Sequence, residues 1–141
     1  MEMKMLSILG EQYLKAKKLI PTYATDEELN NFTDEYFAGP EANEAFGKAI
    51  GRVAVWCIHP LFLAIERRHF VNALFGCGKE TAGKIFRNIP NNTVAKLIFE
   101  MADLTEEEHA IDEDEILASQ NKIIAAINEM AEAGEITLSD D

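Results

Sequence analysis

The sequence predicts an all-α domain of six or seven short helices, and three observations carry that prediction. Apolar residues recur at a spacing of about 3.6 along almost the whole chain, and no stretch alternates cleanly with period two. Prolines and glycines fall between the periodic segments rather than inside them. The 141 residues are 48% hydrophobic, which is ample for a packed core and too much for a disordered chain.

The elements follow in order. Leu6, Leu9, Tyr13, Ala16 and Ile20 share one face of a first helix, which Pro21 ends. Thr25-Asp26-Glu27-Glu28 reads as a capping box, in which hydroxyl and carboxylate satisfy free backbone N–H groups. The helix it opens carries Leu29, Phe32 and Phe37 and stops at Gly39-Pro40. Pro40 suits the first turn of the next and most apolar helix, about 41–59, which Pro60 kinks or breaks. A helix over about 61–75 follows, and Gly76-Cys77-Gly78 is a turn. A short helix covers about 79–89, and Pro90 opens another with Val94, Leu97, Ile98, Met101 and Leu104 inward. Residues 105–108 read as a second capping box, and Asp112 or Asp114 caps the last helix. Ile116, Leu117, Ile123, Ile124, Ile127 and Met130 form its buried stripe. Gly134 supplies a left-handed cap, and Ile136 folds back on the last turn.

Charge is distributed unevenly. Residues 1–99 carry 12 basic and 11 acidic groups, a net of +1, whereas 100–141 carry 14 acidic groups and only Lys122, a net of −13. No basic stripe is present to neutralise phosphates, which argues against a nucleic-acid-binding domain. The longest apolar run, 53–65, holds His59 and Pro60 and is too short to span a bilayer. The N-terminus lacks the basic-then-apolar layout of a secretory signal. Cys57 and Cys77 form no Cys-x-x-Cys pair and read as free thiols of a reducing compartment, Cys57 as a core residue. A soluble, cytoplasmic, acidic protein is expected.

Catalytic and ligand motifs are sparse. Gly76-Cys77-Gly78-Lys79-Glu80-Thr81 echoes a phosphate-binding loop, but Ala73 and Glu80 stand where the pattern needs glycine and a hydroxyl, so a structural turn is expected. His59, His69 and His109 have no second ligand at helical spacing. A weak metal site of His109, Glu106 and Asp112 is outweighed by the ordinary reading of a solvated, acidic capping region. No Ser, Cys or Lys has a neighbour in sequence that marks it as an activated nucleophile. No enzyme activity and no cofactor are expected.

One pattern goes further. Lys84-Ile85-Phe86-Arg87-Asn88-Ile89, a helix, then Ala118-Ser119-Gln120-Asn121-Lys122-Ile123-Ile124, and finally Ala131-Glu132-Ala133-Gly134-Glu135-Ile136-Thr137-Leu138, occur in this order. The series resembles the C-terminal domain of the flagellar motor switch protein FliG over about 67–138, with four extra residues around 105–108. That family has a glycine turn, a helix ending Lys-Ile-Phe-x-Asn-Met, and a charged torque helix. A last helix then carries Ala-Gln-x-Lys-Ile and ends Glu-x-Gly-Glu-Ile-Val-Ile. The resemblance divides the chain into an N-terminal helical segment, 1–60, a FliG C-terminal-like domain, 61–138, and a tail, 139–141, expected to be disordered.

The resemblance implies an armadillo-like helical domain at the cytoplasmic face of the flagellar basal body. Its partners there are the cytoplasmic loop of the stator ion channel and the rotor switch proteins. The work is binding through charged helix surface, with no catalysis, no nucleic acid and no membrane insertion. In the family's pattern the torque helix has an early arginine, here Asn92, and a late acidic pair, here Phe99 and Glu100. The lysine before the glycine turn is here Phe75, and the arginine after the torque helix falls near Asp112. Only Glu100 keeps its charge type. Lys96, Glu100 and Asp103, spaced to share one helix face, are the expected partner-binding residues. The alternative is a stand-alone, divergent FliG-like adaptor without torque function.

Overall fold

Thr25 begins the first described helix as expected. Its hydroxyl accepts from Glu28 N, and its own N–H donates to Glu28 Oε1, each at 3.2 Å. The computed structural model describes residues 25–39, 41–106 and 112–139. The expected helix over 6–20, Pro40 and His109 lie outside them. Among the described residues there are seven α-helices and no strand: α1 (Asp26–Tyr36), α2 (Glu44–Arg52), α3 (Ile58–Ala64), α4 (Arg67–Leu74), α5 (Lys79–Arg87), α6 (Asn91–Glu106) and α7 (Glu113–Glu132). The all-α class is therefore the observed one.

Three boundaries differ from the sequence reading. The apolar stretch 41–59 is not one helix. Ala42 N donates to Gly76 O, which holds the entry extended, and Asn43 Oδ1 then caps α2 by accepting from Ala45 N. After α2, Val53 is extended and a 3-10 turn, Val55–Cys57, leads into α3. Pro60 does not break a helix: it is the third residue of α3, in the turn whose N–H groups have no intrahelical partner anyway. The expected helix over 61–75 is broken at Ile65, which is extended. Phe62 and Phe70 explain that break. Eight residues apart on a straight helix they would be separated by about 12 Å of rise, yet their rings pack with centroids 4.9 Å apart. Finally, Thr105, the expected N-cap of a second capping box, lies inside α6, and residues 107 and 108 lie outside the described residues.

One apolar core runs through all seven helices, and the sequence-expected division at residue 60 falls within α3. α1 packs on α5, and the ring of Phe37, the residue just after α1, meets Phe86 edge-on at 5.7 Å. α6 turns Val94, Leu97, Ile98 and Met101 wholly inward, and Leu104 lies half-buried at its margin. Pro90 opens it as expected, its carbonyl accepting from Thr93 N and Val94 N. α7 packs on α2 and α4, burying Ile116, Ile123 and Ile127 fully, with Leu117, Ile124 and Met130 half-buried at the stripe's edges. The sequence reading missed Ser119 and Gln120, both buried here; Gln120 is 0% exposed and its Nε2 donates to Ala73 O at 3.0 Å.

The C-terminal end is fastened down. Asp112 caps α7 by accepting from Glu115 N at 2.9 Å. Gly134 takes φ +75°, the left-handed cap that glycine permits without steric cost, and Ile136 folds back into the core. Residues 137–139 then bind the α2–α3 junction. Ala54 N donates to Thr137 O at 2.9 Å, Val53 pairs antiparallel with Leu138, and Ser139 N donates to Arg52 O at 2.6 Å. Val55, Trp56 and Leu63 stay exposed beside this junction, while Cys57 is buried and its sulfur accepts from Thr137 N.

Gly76 is packed against apolar atoms that cannot easily move aside. A Cβ placed there would lie 2.8 Å from Ile116 Cγ2 and 3.1 Å from Ala42 Cβ. Neither neighbour is the free end of a flexible chain. Gly76→Ala should therefore destabilise by about 1–3 kcal/mol, the usual cost of overpacking, measured as a lower urea midpoint at unchanged slope.

Candidate functional site

The charged face of α6 is built on the rigid inner face just described. Lys96 and Asp103 are exposed, and Glu100 is half-buried between them. Spacings of four and three residues place all three on one side of the helix. The fold adds a partner that the sequence reading did not include. Arg67 at the start of α4 grips the Glu100 carboxylate, its Nε 2.9 and 3.2 Å from the two oxygens and its Nη2 2.6 Å from Oε1. Both side chains remain partly exposed, at 48% and 37%. Arg68 pairs with Glu66 at 2.7 Å and lines, with Arg67, the same side of α4. A groove of about 380 Å³ lies between α4 and α6, floored by Val71 and Leu104 and walled by Arg67, Glu100 and Asp103. Thirty-three residues separate Arg67 from Glu100, so no local pattern could have signalled the pair.

Elsewhere the resemblance-bearing motif residues serve the framework. Lys84 Nζ donates to Gly51 O at 2.8 Å, supplying a cation to the C-terminal end of α2. Burial lowers the basicity of its ammonium. Ile85 and Phe86 fill the core, and Asn88 Nδ2 donates back to Lys84 O at 2.7 Å. The positions where the family's pattern carries charge have other duties. Phe75 is buried at the end of α4, Phe99 is half-buried, and Asp112 caps α7. Asn92 alone of these four is an exposed side chain not engaged as a cap.

The glycine turn cradles neighbours rather than phosphates. α4, not a strand, precedes it, and a Cβ at Gly78 would meet Glu41 Cγ at 2.7 Å. Among the described residues no three His, Cys, Asp or Glu side chains gather as metal ligands. Of the weighed metal trio, His109 lies outside the described residues, and Asp112 is engaged as a helix cap. Both cysteines are free and buried, and burial together with the nearby Glu41 carboxylate pushes the Cys77 thiol up.

A model of the FliG C-terminal domain family matches residues 49–138, well over half of the chain. The chain belongs to the FliG C-terminal domain family. The match takes in α3–α7 and begins within α2, upstream of Arg67, where the motif resemblance starts. No curated protein and no solved structure matches the chain. Membership places this FliG C-terminal domain among structural components of the flagellar motor switch. Among its described residues no helix is long and apolar enough to cross a membrane.

Behind the charged groove, α4 and α7 share a polar cluster. Asn72 Nδ2 donates to Ser119 Oγ at 3.1 Å, and His69 Nδ1 lies 3.3 Å from the same oxygen. Among the described residues His69 Nε2 is buried without a hydrogen-bond partner. Desolvation lowers the His69 pKa from its ordinary 6.5, with the cations Lys122 and Arg68 adding to the effect and Glu66 opposing it. An unfolded chain therefore takes up this proton at higher pH than the folded one. Stability should be flat above about pH 6.5 and fall as the pH drops below that value. Urea midpoints between pH 7.5 and 5.5, above the carboxylate range, should show this slope in the native chain and a flatter one in His69→Gln.

Proposed function

We propose that this domain is a non-enzymatic docking surface of the flagellar rotor, contacting the cytoplasmic loop of the stator through α6. Family membership supports the motor assignment, and the observation that carries the site is that Lys96, Asp103 and the partly exposed Glu100 line one face of a helix whose other face is core. Exposed charge gives fast, reversible, salt-sensitive contact, which suits an interface that must engage and release repeatedly. Rotor switch proteins are the other partners, and the domain works at the cytoplasmic face of the basal body.

Glu100→Lys combined with Asp103→Lys should weaken binding to the stator loop at least tenfold at low salt, a change of about 1.4 kcal/mol. Thermal melts of the variant check that the fold survives. Unchanged affinity in a folded variant would place the contact on another surface.

A second reading is favoured by the fate of the family's charge positions. Phe75 in the core and Asp112 as a cap leave no basic group at either place. On this reading the domain is a divergent adaptor that kept the fold and not the torque function. Deleting the gene separates the two: cells that assemble flagella but do not swim support the motor role, and normal swimming supports the adaptor.

A further inference from the structure

We propose that Arg67 is an internal competitor for the binding surface, occupying Glu100 until a cationic side chain of the partner displaces it. The proposal rests on the reading of α6 as the partner surface and adds how that surface is regulated. Four observations carry it. The first is the fork geometry of the pair: Arg67 meets both Glu100 oxygens, as a partner's guanidinium would have to do.

The second is where Arg67 sits. It is the first residue of α4, at the positive end of the helix dipole, and Glu66 before it makes no side-chain cap. A cation is disfavoured there by its own helix, so Glu100 is what holds the side chain in place. Because both groups are partly exposed, water and a competing cation can reach them.

The third is the shape of the groove. Val71 and Leu104 give an apolar floor that ends at Glu100 and Asp103. That is the form of a slot for a long side chain with an aliphatic stem and a charged head, namely arginine or lysine. The fourth is the charge of the groove's wall. Glu100 and Asp103 both line the groove, and two carboxylates at one wall draw cations and repel an acidic segment. Arg68 also lines the groove, but its ion pair is with Glu66 and not with Glu100.

The test uses N-acetyl-arginine-N′-methylamide as the probe, titrated into the ¹⁵N-labelled full chain at low salt and followed by amide shifts. Shifts at Val71, Glu100 and Leu104 are expected, with Glu100→Gln losing them. Arg67→Met keeps the stem and removes the cation, and should tighten probe binding at least threefold. Arg52→Met removes the same charge at an exposed position outside the groove, and should change affinity far less. Equal tightening by the two variants would reduce the effect to net charge and overturn the competitor. Probe binding in the groove that is indifferent to Arg67→Met would also overturn it, while leaving the α6 surface standing. A groove silent in every variant would overturn both the competitor and cation recognition at this surface. If Arg67→Met does not fold, Arg67→Gln takes its place.

Discussion

The register of α7 against α4 is the constraint on which the rest of the molecule depends. Gln120 crosses that interface and satisfies the Ala73 carbonyl, and Ile116 sits so close to Gly76 that no side chain fits between them. A buried amide donates only where an acceptor waits, so sliding α7 by one residue would leave both groups unpaired in the core. This pinning fixes the glycine turn, whose carbonyl at Gly76 holds Ala42 and so the entry to α2. It also fixes α4, which presents Arg67 to α6. Packing in one place thereby sets charge geometry in another.

Much of the fold is legible in the sequence because its signals are local. The capping box at Thr25, the Asp112 cap, the Gly134 turn and the inward stripe of α6 each depend on residues within a turn or two of one another. The breaks at Val53 and Ile65 were not legible, since neither is marked by glycine or proline. The first arises because 137–139 pairs with the α2–α3 junction, and the second because Phe62 must meet Phe70. Pro60 misled for a related reason: a proline breaks a helix only beyond the first turn, and a 3-10 turn just before it moved the helix start. Gln120 escaped because a polar residue in an apolar stripe reads as a surface residue until its distant acceptor is known.

The candidate site was half legible. Lys96, Glu100 and Asp103 could be placed on one face by spacing alone, whereas Arg67 joins them only through tertiary packing. The residues that carry the family resemblance are, in this structure, overwhelmingly framework. Lys84 caps a neighbouring helix, Ile85 and Phe86 fill the core, and Gly134 turns the chain. Such residues transmit a fold faithfully and say little about what its surface touches. The surface charges can therefore drift while the family signature persists, as Phe75 and Asp112 illustrate.

The strap at 137–139 has a consequence for how the chain acquires its structure. It joins Thr137 to Cys57 and Ser139 to Arg52 across 80 and 87 residues of sequence. At the junction between α2 and α3 a 3-10 turn satisfies part of the backbone, while Ala54 N and Arg52 O are met by these residues. During synthesis the early helices emerge seconds before the segment that seals them. In that interval Trp56 and its apolar neighbours stand beside unpaired backbone, the kind of surface that nascent-chain chaperones hold.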